Sequence, residues 1–233
     1  MAQLHTLSRR DFLKASSMTA VSMTLAACAP AQVNVESSVA NVDEALQRLL
    51  EGNQRFAANK SIDLNESQSR RTEVAQGQSP FATIFSCVDS RVPPELIFDR
   101  GLGDLFVIRT AGQVIDNAVL GSLEFGVAEL KIPLLMVLGH EKCGAVKATV
   151  EAVEKNATAE AEINWLVDGI RPAVEAAKSQ SGDLLDNAVN ANISLTVERL
   201  KGSSILSEAL EKGELKIVGA RYDLDTGVVE IIP

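Results

Sequence analysis

Three side chains in this sequence could bind one transition-metal ion. They are Cys87, His140 and Cys143, in a chain of 233 residues that holds three cysteines and two histidines altogether. Thiolate and imidazole ligands favour zinc over magnesium or calcium. Two sulfurs with one nitrogen form a ligand set of catalytic zinc sites that keep a fourth position open. His140 and Cys143, three residues apart, could both face the same ion, so the pattern predicts a zinc site.

Each of these residues also has a simpler interpretation when it is taken alone. Cys87 and Cys143 could be buried apolar residues or a disulfide, since free cysteine is among the most buried residue types. His140 could be a core histidine with its hydrogen bonds satisfied. The joint pattern favours the metal, because an aspartate and an arginine, Asp89 and Arg91, follow Cys87 within four residues.

The predicted secondary structure brings these residues together at strand ends. Short apolar, β-branched runs predict buried strands, and they lie at Phe81–Ser86, Leu105–Arg109, Ile132–Leu138, Leu215–Ala220 and Val228–Ile232. Helical patterns lie between most of them, at about 117–130, 142–154, 162–179 and 184–201. Cys87 follows the first strand and His140 follows the third. In parallel sheets ligands bind beyond the carboxyl ends of the strands.

The alternation of strands and helices predicts one α/β domain over residues 43–233. Its central sheet is mainly parallel, with four to five strands flanked by helices. The last strand is predicted at an edge. An N-terminal helical arm begins near Asp43, with Asn41 or Asp43 available as its cap, and a second short helix is expected within the polar residues 61–79.

The first 31 residues are predicted to be an export signal. The run SRRDFLK begins at Ser8 and precedes an apolar stretch that is too short to span a bilayer. The two segments together resemble a twin-arginine leader. The sequence leaves two alternative cleavage sites. One is a lipobox that ends at Cys28, where the cysteine would carry a lipid anchor. The other lies at the small residues 29–31. Residues 32–42 are predicted to be a tether, and the expected location is the periplasm or, in a host that has one, the thylakoid lumen.

Composition excludes one class of partner. The net charge is −9 and aromatic residues make up 4% of the chain. Nucleic acids are bound by basic surfaces and stacking aromatic side chains. Nucleic acid is therefore not expected as a partner.

The motifs together resemble the β-class carbonic anhydrases. The resemblance rests on CVDSRVP at 87–93 and HEKCG at 140–144, and it extends through LLEGNQRF at 49–56, GDLFVIRTAG at 103–112 and VGARY at 218–222. It implies the β-carbonic anhydrase fold and the reversible hydration of CO2 to bicarbonate and a proton by attack of zinc-bound hydroxide. It also implies one zinc per chain on Cys87, His140 and Cys143.

The resemblance assigns roles to further residues. Asp89 would orient the zinc-bound hydroxide, or bind the zinc itself in a closed state, and Arg91 would pair with Asp89. Gln78 would hydrogen-bond the substrate, and Gly144 would bring its backbone to the pocket. The apolar wall would consist of Phe106, Ala111 and Phe125. The family builds its sites at a dimer interface, so a homodimer or a higher even oligomer is expected.

The sequence departs from the family at three points. Ile84 stands where members regulated by bicarbonate carry a tryptophan, and Phe125 stands where plant-like members carry a tyrosine. Once the leader with His5 is removed, His140 is the only histidine of the sequence, so the usual proton-relay histidine is missing. Two alternatives to CO2 hydration stay open. One is a related hydrolase of carbonyl sulfide or carbon disulfide, and the other is a non-catalytic exported zinc-binding protein in which the two cysteines form a disulfide or store metal.

Overall fold

The computed structural model describes residues 41–232. The predicted export signal at 1–31, the lipobox cysteine Cys28 and all but the last two residues of the predicted tether lie outside the described residues. Among the helices of the described part, none is long and apolar enough to cross a membrane.

Helices and strands alternate along the described chain. Five strands form the sheet: β1 (Ala82–Cys87), β2 (Leu105–Thr110), β3 (Leu134–His140), β4 (Lys216–Tyr222) and β5 (Val229–Ile232). Eight α-helices are described: α1 (Val42–Ala57), α2 (Gln68–Val74), α3 (Pro94–Ile97), α4 (Asn117–Ala128), α5 (Gly144–Glu154), α6 (Ile163–Ala177), α7 (Leu184–Lys201) and α8 (Ser204–Glu211). A short 3₁₀ turn, Ala111–Gln113, follows β2.

The five strands form one sheet in the order β2-β1-β3-β4-β5. The first four strands are parallel, and β5 pairs antiparallel with β4 at the edge. Ser86 of β1 pairs with Leu138 of β3. Because both strands run in the same direction, Cys87 and His140 reach the same end of the sheet. The predicted fold class is confirmed.

Alternation along the strands divides the core into two layers. Phe85 and Cys87 face a layer formed with residues of α4 to α8. Ile84, on the opposite side of β1, faces a second layer that includes Leu49 of α1 and Phe98 after α3. The N-terminal helical arm therefore packs on the second face of the sheet. Its cap is Asn41, whose side chain accepts hydrogen bonds from the N–H groups of Asp43 and Glu44.

The predicted elements agree with the structure to within about three residues at their ends, with two informative differences. β1 and β3 each run further than predicted, so that Cys87 and His140 are the last residues of their strands. Helices α3 and α8 were not predicted, because they are only four and eight residues long. Helix α8 begins after Ser203, whose side chain accepts a hydrogen bond from the Leu206 N–H.

Helix α7 lies directly on the strand that carries His140. A Cβ added to Gly139 would lie 2.4 Å from Cδ1 of Ile193, closer than real Cβ atoms approach other atoms. We expect Gly139→Ala to lower the free energy of unfolding by about 1–3 kcal/mol, because the added methyl group forces packed side chains apart. Chemical denaturation measures this loss.

A double-mutant cycle checks that the loss arises at this contact. Ile193→Ala also destabilises the protein, because it leaves a cavity in the core. In the double variant the alanine methyl occupies part of that space, so the combined loss should be smaller than the sum of the two single losses. Strictly additive losses would contradict the close contact between α7 and β3.

Candidate metal centre

Cys87, His140 and Cys143 meet at the carboxyl ends of β1 and β3. All three side chains are buried, and their ligand atoms lie within 4.8 Å of one another. The two Sγ atoms are 4.0 Å apart. In a tetrahedral zinc site with Zn–S bonds of about 2.3 Å, two sulfurs lie about 3.8 Å apart. The spacing therefore suits a zinc ion.

The same spacing excludes a disulfide between Cys87 and Cys143. Both cysteines are free thiols, and their separation of 4.0 Å is nearly twice the S–S bond length of about 2.05 Å. The alternative in which these cysteines form a disulfide is wrong for this structure.

The orientation of His140 also fits a metal ligand. Its Nδ1 lies 2.8 Å from the carbonyl oxygen of Glu141, a bond in which a protonated Nδ1 donates. Nε2 is buried and has no hydrogen-bond partner. Buried polar atoms rarely stay unpaired, and metal-binding histidines commonly donate their other N–H to a carbonyl. Nε2 is therefore the nitrogen available to the metal.

The protein stabilises negative charge on Cys87. A hydrogen bond with the Cys143 thiol is the main reason that the pKa of Cys87 lies below its ordinary value, and the Gly112 N–H, 3.4 Å from Sγ, contributes. The same thiol–thiolate bond, together with burial, raises the pKa of Cys143. The two sulfurs thus favour sharing one proton. A cation that replaces this proton gains two anionic ligands.

Asp89 lies beside this cluster and is held by Arg91. The guanidinium Nε donates to Oδ1 at 2.9 Å, and a terminal nitrogen donates to Oδ2 at 2.7 Å. This pairing holds the pKa of the Asp89 carboxyl well below its usual range. Oδ2 also lies 3.8 Å from Nε2 of His140. An ionised carboxylate is therefore fixed at the edge of the cluster.

The loop that carries Asp89 is anchored by Arg109, which the sequence analysis did not single out. Arg109 lies near the end of β2, and its guanidinium donates to the carbonyl oxygens of Cys87 at 2.8 Å and Asp89 at 2.7 Å. The available signal was its position in the run GDLFVIRTAG, one residue before the strand ends. Arg109 fixes the backbone on both sides of Val88.

The predicted pocket residues lie in two places. Gly144 opens α5 directly after Cys143, and a Cβ there would have no atom within 4 Å, so the space in front of it is open. Ala111 follows the carboxyl end of β2, on the same side of the sheet as the cluster.

Gln78 and Phe106 lie at the opposite end of the strands, near their amino ends. Gln78 is exposed and precedes β1, whereas Cys87 ends it. Phe106 pairs with Thr83 near the start of β1. The ring of Phe106 lies against Gly126 of α4. The same helix carries Phe125, whose side chain is exposed. Six residues of strand span about 17 Å. Within one chain these residues therefore do not meet the cluster, and they could line a site only across two subunits.

The chain is similar to known proteins over most of the described residues. The family model for carbonic anhydrase matches residues 82–229. A carbonic anhydrase of Mycolicibacterium smegmatis is 40% identical over 188 residues, which are 80% of this chain and 91% of the relative. Carbonic anhydrase 2 of Mycobacterium tuberculosis is 43% identical over 184 residues, 78% of this chain and 89% of the relative. The solved Coccomyxa β-carbonic anhydrase in complex with acetazolamide has a TM-score of 0.64 and 28% identity, over 80% of this chain and 86% of that one.

Proposed function

The chain belongs to the β-class carbonic anhydrases, and from this premise we propose that it is a zinc enzyme that interconverts CO2 and bicarbonate, releasing or taking up a proton. Cys87, His140 and Cys143 hold the ion in this proposal. The observation that carries it is the convergence of two thiols and an unpaired, buried imidazole nitrogen within 4.8 Å.

The metal and the protein divide the chemistry between them. A zinc ion bound to these residues supplies a Lewis acid that makes hydroxide available near neutral pH. Asp89, kept ionised by Arg91, has no proton to donate and can only accept hydrogen bonds. It would therefore accept a hydrogen bond from the attacking hydroxide and so orient the hydroxide's lone pair toward CO2. Arg109 keeps the Asp89 loop in place.

The remaining pocket residues suit a site shared between subunits. Gln78 and Phe106 lie at the amino ends of the strands, and the cluster lies at the carboxyl ends. In our proposal they serve the cluster of a second copy, so the active form is a homodimer or a higher even oligomer. Gly144 leaves its backbone open to the substrate.

Metal analysis and kinetics test the proposal together. We expect one zinc per chain in the purified protein and stopped-flow hydration of CO2 that is lost with chelation and regained with zinc. Parallel assays with carbonyl sulfide and carbon disulfide test the related hydrolase activity. Hydrolysis of these substrates without CO2 hydration would overturn the proposed substrate, and metal binding with no turnover on any of them would overturn the enzyme.

The route of the proton gives a further prediction. His140 is a proposed ligand and the described residues contain no other histidine. Burial and, to a lesser extent, the charge of Asp223 raise the pKa of Tyr222, which places it further from neutrality. Apart from His140, no side chain of the described residues has an ordinary pKa between 5 and 8. We expect turnover to rise with the concentration of an imidazole buffer at fixed pH and ionic strength.

Stopped-flow hydration across a buffer series measures this dependence. Inert salt in place of buffer is the control for ionic strength. A rate independent of buffer concentration from a few millimolar upward would contradict the prediction, because it would require an internal proton relay.

We also propose export through the twin-arginine pathway, on the strength of the residues around Arg9 and Arg10. Replacing both arginines with lysine should leave the protein in the cytoplasm, since the pathway reads the arginine pair and not charge alone. Cell fractionation measures the distribution, and labelled palmitate on Cys28 distinguishes a lipid anchor from ordinary cleavage. Export of the double-lysine variant at the normal level would contradict the proposal.

A further inference from the structure

The 3₁₀ turn at Ala111–Gln113 contacts the candidate metal centre through its backbone. Gly112 N–H donates to Sγ of Cys87 at 3.4 Å. The turn has two successive left-handed residues, Gly112 with φ of 62° and Gln113 with φ of 55°. A Cβ on Gly112 would also lie 2.5 Å from Cδ1 of Ile170. This backbone conformation needs support from its surroundings, because it is unfavourable for most residues.

Two buried amide side chains supply that support. Asn192 of α7 donates through Nδ2 to the carbonyl oxygen of Gly112 at 2.7 Å, and the same nitrogen lies 3.3 Å from Oε1 of Gln113. Gln113 donates to the carbonyl oxygen of Leu138, two residues before His140, at 2.7 Å. Gln113 and Asn192 are only 3% and 6% exposed. A continuous set of hydrogen bonds thus joins α7 to both strands that carry the cluster.

The hydrogen bond to Cys87 has an electronic consequence for a bound metal. A backbone N–H that donates to a thiolate withdraws negative charge from the sulfur. The sulfur then donates less charge to the metal, and hydrogen bonds around a ligating sulfur are known to tune metal sites in this way. The position of a single N–H group, fixed from α7, therefore affects the metal.

We propose that Asn192 and Gln113 are positioning residues that hold the Gly112 N–H on the Cys87 sulfur and so set how much charge this ligand donates to the metal. The inference rests on the proposed function, because it takes Cys87 as a metal ligand. It adds residues that lie outside the cluster and touch neither metal nor substrate.

Cobalt substitution of the full chain tests the proposal. Asn192→Leu keeps the branched shape and the number of heavy atoms of the side chain and removes both bonds to the turn. We expect the thiolate-to-cobalt charge-transfer band to move to longer wavelength, because a sulfur without its hydrogen bond is easier to oxidise. We also expect metal affinity, measured by competition with a chelating dye, to fall about 10- to 100-fold, because the turn no longer orients the ligand and this loss outweighs the stronger donation by the sulfur.

Thr196→Val is the matched control. Thr196 lies one turn along α7 and is 7% exposed. Together with Gln113 and Asn192 it lines one small cavity, but none of the turn's hydrogen bonds runs to it. This variant should leave the band unmoved. An unshifted band in Asn192→Leu, with a loss of stability like that of Thr196→Val, would overturn the proposal. If Asn192→Leu does not fold, Asn192→Ala removes the same bonds with a smaller side chain.

A measurement on the unmodified chain tests the hydrogen bond itself. In protein loaded with ¹¹³Cd, the amide proton of Gly112 should show scalar coupling to the metal through the Cys87 sulfur. The amides of Ala145 and Val146, which follow Cys143 at the start of α5 and lower the pKa of its thiol, serve as the comparison. Coupling at those amides without coupling at Gly112 would overturn the proposal. Absence of CO2 hydration in a protein that keeps the Gly112 coupling would instead refute the proposed function.

Discussion

Replacing Cys143 with serine should remove most of the metal and nearly all of the CO2 hydration activity. A serine hydroxyl stays protonated near neutral pH and is a poor ligand for zinc, which prefers thiolate. The loss should exceed the roughly 10- to 100-fold cost of disturbing groups around the ligands, since a ligand itself is gone. Metal content per chain and stopped-flow hydration measure the two effects.

The third cysteine provides a matched control for this substitution. Cys28→Ser makes the same chemical change at a cysteine that the proposal does not assign as a ligand, and it should keep both zinc and turnover. Thermal unfolding of Cys143→Ser with excess chelator, compared with chelated unmodified protein, separates loss of the ligand from loss of the fold. Full zinc content and normal turnover in Cys143→Ser would refute the assignment of this ligand.

Replacing Asp89 with asparagine or alanine should keep the zinc and slow the reaction. Orienting and acid–base groups are typically worth about 10²- to 10⁴-fold in rate, and we expect a loss in that range at saturating CO2. An asparagine side chain presents an N–H₂ group where Asp89 can only accept, so it cannot reproduce the carboxylate. The loss should appear in kcat, because the nucleophile is formed but is no longer oriented.

Glu95→Gln is the control for a change of charge near the site. Glu95 is an exposed carboxylate in α3, a few residues after Arg91, and it is not part of the cluster. Its amide should leave the rate unchanged. A normal kcat in both Asp89 variants would show that the pairing with Arg91 serves only the structure of the loop. Loss of zinc from them would instead make Asp89 a ligand.

The grouping of Cys87, His140 and Cys143 was predictable because each of its parts is local in the sequence. Cys87 with Asp89 and Arg91, and His140 with Cys143, lie within short runs that end apolar strands, and parallel pairing of β1 with β3 then brings the runs together. The strands were predictable for a similar reason, since their apolar runs are continuous and short.

The support around the cluster was not predictable from one sequence. Asn192 lies 80 residues from Gly112, which it holds, and nothing in the pattern of α7 separates it from an ordinary polar residue. Arg109 could as well have been a solvated charge at the end of an edge strand. Its bonds to two carbonyl oxygens depend on the path of the loop after β1, and that path is decided by tertiary contacts.

The separation of Gln78 from Cys87 by the length of β1 has a genetic consequence. If each site takes its cluster from one subunit and its glutamine from the other, a chain with a defective cluster still carries a sound Gln78, and a chain that lacks Gln78 still carries a sound cluster. Two alleles that are each inactive alone would then complement one another in the same cell, because in a mixed dimer one of the two sites is assembled entirely from intact parts. Two such mutant alleles in one cell would thus restore activity, which they could not do if each site were built within a single subunit.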